Sequence, residues 1–133
     1  MNKQQLAARI WESANKMRSK IEANEYKDYI LGFIFYKFLS EKEVKYLKEN
    51  DWTDEYLSEL TEEDTETVES IQKNLGYFIS YENLFSTWLE KDRDFSVQNV
   101  RDALSAFSRL INLAHKKVFE GVFDTLQTGL SKL

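Results

Sequence analysis

The 133-residue chain contains no cysteine, no proline, four glycines and one histidine, His115. Each scarcity excludes some chemistry. With no cysteine and a lone histidine, structural zinc, iron–sulfur and thiol chemistry lack ligands, and no serine has a distinct histidine partner for nucleophilic catalysis. Gly32, Gly76, Gly121 and Gly129 are too scattered to supply the converging backbone N–H groups that cradle an anion, and no Gly-Lys-Ser or Gly-Lys-Thr occurs. P-loop and dinucleotide sites are thereby removed. The most apolar run, Tyr29 to Leu39, contains Lys37 and is far shorter than the roughly 20 residues that cross a bilayer. The N-terminal segment carries charge throughout and has no secretory apolar stretch, so a cytoplasmic protein without membrane association is expected.

What is present favours helix. The chain is rich in Leu, Glu and Lys, nothing forces breaks, and few turns need positive φ, which predicts an all-α fold. Leu6, Ile10, Ala14, Met17 and Ile21 lie on one arc of a first amphipathic helix, while Arg9, Lys16 and Lys20 stack on a second line and Trp11 and Arg18 share a third. A second helix is expected over about residues 25–49, capped by Asn24, with Tyr29, Phe33, Phe35, Phe38 and Leu39 pointing in every direction. Such a helix belongs at the centre of a compact bundle, wrapped by neighbours, and Gly32 would admit a close neighbour there. Beyond Ser40 charge takes over, with Glu41 and Lys45 at pairing distance.

Thr53 and Thr61 read as successive helix starts with acids at the positive dipole end, and Gly76 as a helix C-terminus. Tyr77-Phe78-Ile79 reads as a short extended segment, followed by a helix around Tyr81 to Glu90 and a polar connection from Lys91 to Asp94. Ser96 then caps a helix bearing Val97, Val100, Leu104, Phe107, Ile111 and Ala114. His115 is expected at a helix C-terminus beside Lys116 and Lys117, Trp52 and Trp88 as packing residues, and Gly121 and Gly129 as breaks in the tail.

Net charge is −5, but unevenly spread. Residues 1–50 hold ten bases and seven acids, residues 51–100 three and thirteen, and residues 101–133 five and three. From Asp51 to Glu69 there are nine acidic residues and no basic one, the pattern of a solvated surface of short helices.

A family emerges from the first forty residues: Ile10-Trp11, Ala14, Met17-Arg18, Glu25-Tyr26-Lys27-Asp28-Tyr29-Ile30-Leu31-Gly32 and Phe35-Tyr36-Lys37-Phe38-Leu39-Ser40. Gly76-Tyr77-Phe78-Ile79, followed by Trp88, and Phe119-Glu120-Gly121-Val122-Phe123 agree with it. The chain resembles the N-terminal helical domain of the modification (methyltransferase) subunit of type I restriction-modification systems. It departs from the usual pattern at Ser19, where glycine is frequent, and at Ser80-Tyr81, where prolines are frequent.

The resemblance implies one N-terminal domain over residues 1–133 of a subunit that, complete, transfers a methyl group from S-adenosylmethionine to adenine N6. The catalytic domain is expected to be absent from this chain, which has neither the adjacent prolines nor the glycine-rich turn of that domain's motifs. No catalytic, cofactor-binding or metal residue is therefore assigned. The partners implied are a specificity subunit, a second modification subunit, the restriction subunit and double-stranded DNA. Arg9, Lys16, Lys20, Lys27 and Lys37 are candidate phosphate contacts, which would position DNA without reading it. Trp11 and Arg18 are candidate interface anchors. The competing reading is a stand-alone acidic interaction module, or a mimic of DNA, acting through the 51–69 run.

Overall fold

The structure, a computed structural model, describes residues 2–17, 23–90, 96–119 and 121–131. All regular structure in the described residues is helical: α1 Lys3–Met17, α2 Ala23–Glu49, α3 Asp54–Leu57, α4 Thr65–Leu75, α5 Phe85–Glu90, α6 Val97–Arg109, α7 Lys116–Phe119 and α8 Asp124–Ser131. Single 3-10 turns, Tyr81–Asn83 and Leu113–His115, lead into α5 and α7. The expected all-α bundle around an aromatic-rich second helix is what forms.

Helix α2 runs for 27 residues, and α1, α5 and α8 pack on it. Its inward arc carries Tyr29, Phe33, Tyr36, Leu39 and Leu47, all buried. Tyr36 is one hub of the core: its ring stacks on Trp88 at 5.3 Å and meets Phe123 and Phe107 edge-on at 5.6 and 6.3 Å. Phe107 is the other, with Phe123 at 5.2 Å, Tyr77 at 5.5 Å and Phe119 at 6.0 Å. These tilted and edge-to-face geometries add to the burial of the rings themselves.

A smaller core of Leu47, Leu57, Leu60, Val68, Ile71 and Phe78 joins α2 to α3 and α4. The irregular segment between α4 and α5 separates the two cores. Its side chains alternate, Tyr77 and Ile79 into the main cluster and Phe78 into the smaller one, as an extended chain requires.

Local signals placed most element ends. Thr53 caps α3, Ser96 with Asn99 forms a capping box on α6, and Gly76 ends α4 at φ +93°. Other expectations need correction. Helix α2 begins at Ala23, so Asn24 lies inside it. Asp64 caps α4 through Thr67 N–H, whereas Thr61 sits in the turn before it. Helix α6 stops at Arg109, and the chain bends so that Ile111 and Ala114 lie beyond it. Gly129 is buried inside α8 and breaks nothing. His115 ends a 3-10 turn that runs directly into α7, and its ring and Cβ pack over Gly76. Lys37, not Lys45, pairs with Glu41, at 3.0 Å. Ile21 and the Lys91 to Asp94 connection lie outside the described residues.

At Gly32 a Cβ would stand 3.0 Å from Leu126 Cβ, so glycine sets how closely α2 and α8 cross. Gly32→Ala is expected to push α8 outward and cost on the order of 1–3 kcal/mol, read as a lowered midpoint in urea unfolding with unchanged m.

The largest correction concerns α2 itself. The helix is not enclosed on every side: Leu31, Ile34 and Phe38 are 48%, 57% and 57% exposed. Its apolar residues exceed what α1, α5 and α8 cover, and one face stays open.

Candidate functional site

Three surfaces and one buried cluster are the places where this fold offers chemistry. The first is α1, which offers two flanks, Arg9 and Lys16 on one and Trp11, about 160° round from Arg9, on the other. Lys16 is exposed, Arg9 is half-buried and Trp11 is 52% exposed. Arg9 and Lys16 stand seven residues apart, two helical turns, and so share one side of α1. Lys27 is exposed on the first turns of α2. Lys37 is bound to Glu41 and held 5.9 Å from the centre of the Phe85 ring. Arg18 and Lys20 lie outside the described residues.

The second surface is the acidic run. All nine acids from Asp51 to Glu69 are exposed, but several already have local work. Asp54 pairs with Lys48 at 3.2 Å, Glu62 approaches Arg109 at 3.6 Å, and Asp64 accepts from both the N–H and the hydroxyl of Thr67. Among the described residues no group of three or more histidines, aspartates or glutamates is placed to hold a metal. No described helix is long and apolar enough to cross a membrane.

The third surface is the open face of α2, where Leu31, Gly32, Ile34, Phe35, Phe38 and Val122 line a groove of about 630 Å³. Of this groove sequence reasoning saw the apolar residues but not their exposure.

The buried cluster was missed altogether. Glu43 is fully buried, and its Oε1 accepts a 2.8 Å hydrogen bond from Ile79 N–H while Oε2 has no partner. Ser40 Oγ accepts from Phe85 N–H at 2.7 Å, Tyr36 O–H donates to Asn83 carbonyl at 2.7 Å, and Tyr77 O–H donates to Leu39 carbonyl at 2.8 Å. These four bonds tie the segment from Tyr77 to Phe85 to α2, and three of them, to Ile79 N–H, Phe85 N–H and the Asn83 carbonyl, satisfy backbone groups of that segment. Burial drives the Glu43 carboxyl well above the usual carboxylate range, and the Ile79 N–H offsets only part of that. Burial, with Glu43 nearby, also raises both Tyr36 and Tyr77. A signal for this cluster existed: Tyr36, Ser40, Glu43 and Leu47 recur at spacings of three and four, the line of one buried helix face.

Gly32 and Gly76 are packed against Leu126 and against Phe119 and His115, and the open groove on α2 is walled mainly by hydrocarbon.

Fold and surfaces together define an all-α domain with an aromatic core, a side-chain-tethered strap and an open apolar helix face. The family model for the HsdM N-terminal domain matches residues 6–132, and the chain belongs to that family. It is 25% identical over 139 residues to the type I restriction enzyme MpnII methylase subunit of Mycoplasma pneumoniae, a match covering 94% of this chain and 26% of the relative. It also resembles the crystal structure of a type I restriction-modification system methyltransferase subunit from Streptococcus thermophilus, with a TM-score of 0.56 and 26% identity over all of this chain and 35% of that one. The chain thus spans between about a quarter and about a third of the length of these relatives.

Proposed function

We propose that this domain is a non-catalytic assembly and DNA-embracing module of a type I restriction-modification adenine-N6 methyltransferase subunit. In this reading it packs beside the S-adenosylmethionine-binding catalytic domain and the specificity subunit, and helps two modification subunits close around a duplex, within a complex that includes the restriction subunit. The observation that supports it most is that α1, anchored in the core by Leu6, presents the exposed Lys16 on one flank and the half-exposed Trp11 on the other. Arg9, Lys16, Lys20, Lys27 and Lys37 would meet phosphates, Lys37 in competition with Glu41, which pairs with it. Trp11 and Arg18 would serve as protein contacts, because large aromatic and guanidinium groups make strong interface anchors.

The test is weak duplex binding by the chain at low salt, followed by fluorescence anisotropy. Reversing Arg9, Lys16 and Lys20 to glutamate together should abolish it; the wild-type affinity should fall as salt rises, and removing one of the three contacts should reduce that slope by about one. Unchanged binding by the triple variant sinks the phosphate contacts. Binding to basic partners with indifference to duplex would favour the acidic-module reading, in which the exposed 51–69 run is the working surface.

A further inference from the structure

The acidic surface contains a cleft of about 340 Å³ between the last turn of α2 and the first turns of α4, lined by Tyr46, Asn50, Trp52, Glu66, Thr67 and Ser70. How Trp52 comes to stand there is set by the end of α2. Asp51, at φ +67°, takes the left-handed conformation that stops the helix, and the N–H groups of Asp51 and Trp52 turn back to the carbonyls of Lys48 and Leu47 at 3.2 and 3.0 Å. This is the Schellman pattern, and it packs Trp52 against the smaller core, of which Leu47 is a member. Tyr56 meets the indole edge-on at 6.4 Å, a second constraint on its plane. The ring is thus held in place, while Trp52 and Tyr46 both stay partly exposed.

The polar groups of the cleft suit a cation. Glu66 is the only charged residue that lines it, and it has no ion pair among the described residues. Asn50 donates its amide N–H to the Tyr46 carbonyl at 2.8 Å, which leaves Oδ1 as an acceptor, and the Thr67 hydroxyl gives its proton to Asp64, which leaves its lone pairs. The last carbonyls of the 27-residue α2 add negative potential on one side. The positive end of α4 on the other side is offset by its cap Asp64 and by Glu66 itself. Lys48, the base in the last turn of α2, is bound to Asp54 at 3.2 Å.

We propose that this cleft receives the guanidinium of an arginine side chain presented by a partner protein. The planar cation stacks on the face of Trp52, and its N–H fork donates to the Glu66 carboxylate and to the oxygens of Asn50 and Thr67. A lysine ammonium has neither a plane to stack nor a fork to share among acceptors around the ring, so arginine is the better fit. The nine exposed acids between Asp51 and Glu69 draw a basic segment toward the cleft and turn a phosphate backbone away, which makes the partner a protein and not a nucleic acid. The inference goes beyond the role proposed above. It concerns a surface other than α1 and its test reads Trp52, so its failure and the failure of the phosphate contacts are separate results.

The experiment is an amide NMR titration of the chain with acetyl-argininamide and, in parallel, with acetyl-citrullinamide, which has nearly the same shape without the charge. The expected result is saturable movement of the Trp52 indole N–H and of the backbone amides of residues 50, 67 and 70, with a Kd in the millimolar range for so small a ligand. Trp52→Leu should weaken the arginine compound about fivefold and Glu66→Gln about threefold, and the citrulline compound, which forfeits both interactions, should bind about tenfold more weakly than the arginine compound. Circular dichroism establishes that each variant is folded, and Glu66→Gln, a change at an exposed position, decides the matter should Trp52→Leu unfold. Equal movement with the two compounds, acetyl-lysinamide binding as tightly as the arginine compound, or arginine shifts indifferent to Glu66→Gln each overturns the proposal. So does saturation of the Trp52 signal by a single-stranded oligonucleotide.

Discussion

Trp88→Ala should lower stability by on the order of 3–5 kcal/mol, the cost of deleting a large buried aromatic. That is a large share of the roughly 5–15 kcal/mol that holds a domain of this size together. Trp88 is 1% exposed and lies on helix α5, which has only six residues and cannot be stable in isolation. What holds α5 in place is the indole itself, stacked on Tyr36 at 5.3 Å with planes 9° apart and tilted against Phe85 at 5.9 Å. Removing it empties the space between α2 and α5 and leaves the Tyr36 ring without its facing partner. Because Tyr36 O–H also holds the carbonyl of Asn83, the loss should spread to the strap that precedes α5. Thermal unfolding followed by circular dichroism should show a fall in Tm on the order of 10–20 °C, and Trp88→Phe should recover much of it. The same truncation at the half-exposed Trp11 should cost far less. Equal losses at both positions would mean that the core is not organised around the Tyr36–Trp88 stack.

Trp11 and Trp88 also mark where the sequence was legible and where it was not. Periodicity and caps depend on residues close in the chain, and they located nearly every helix: the Ser96 cap, the Gly76 terminus and the inward line of Leu6 and Ile10 all lie where spacing puts them. The family resemblance rested on runs such as Glu25 to Ser40, and it held. Exposure is another kind of quantity, because it depends on how many neighbours the rest of the chain supplies. Tyr29 to Leu39 is apolar on every side, which suggested a helix wrapped all round, yet α1, α5 and α8 cover only part of it and Phe38 remains 57% exposed. Glu43 was hidden for the complementary reason. A glutamate among Lys42, Lys45 and Lys48 reads as surface charge, and only the strap folding back from residue 79 reveals that its carboxyl takes the place of a missing backbone partner. Of the candidate basic residues, Lys37 is already paired: spacing suggested Lys45 as the partner of Glu41, but Lys37 stands one turn away on the other side and takes the bond.

Glu43→Gln should stabilise the protein, and increasingly so as pH rises. Glu43 is fully buried, and burial holds its carboxyl well above the ordinary range, so in the folded chain the proton stays on at pH values where the unfolded chain has released it. The sign follows from linkage. A folded-state pKa above the unfolded value means that the folded state binds more protons. The contribution is therefore fully present below about pH 4.3, the unfolded value, and is lost as pH climbs toward the folded value. For one proton the slope can reach about 1.4 kcal/mol per pH unit. Glutamine does not ionise, keeps a carbonyl for the 2.8 Å bond from Ile79 N–H, and fills the same volume, so its urea midpoint should match wild type near pH 4 and exceed it progressively above. Glu43→Lys places a cation where neither Ser40 nor the strap offers a counter-charge, and should cost on the order of 4 kcal/mol or more. Chemical denaturation of the three proteins from about pH 4 to about pH 8 settles the matter. If the wild-type and glutamine curves run parallel across that range, Glu43 is ionised when folded, and the polar cluster that ties the strap to α2 works as a charged acceptor instead of a neutral one.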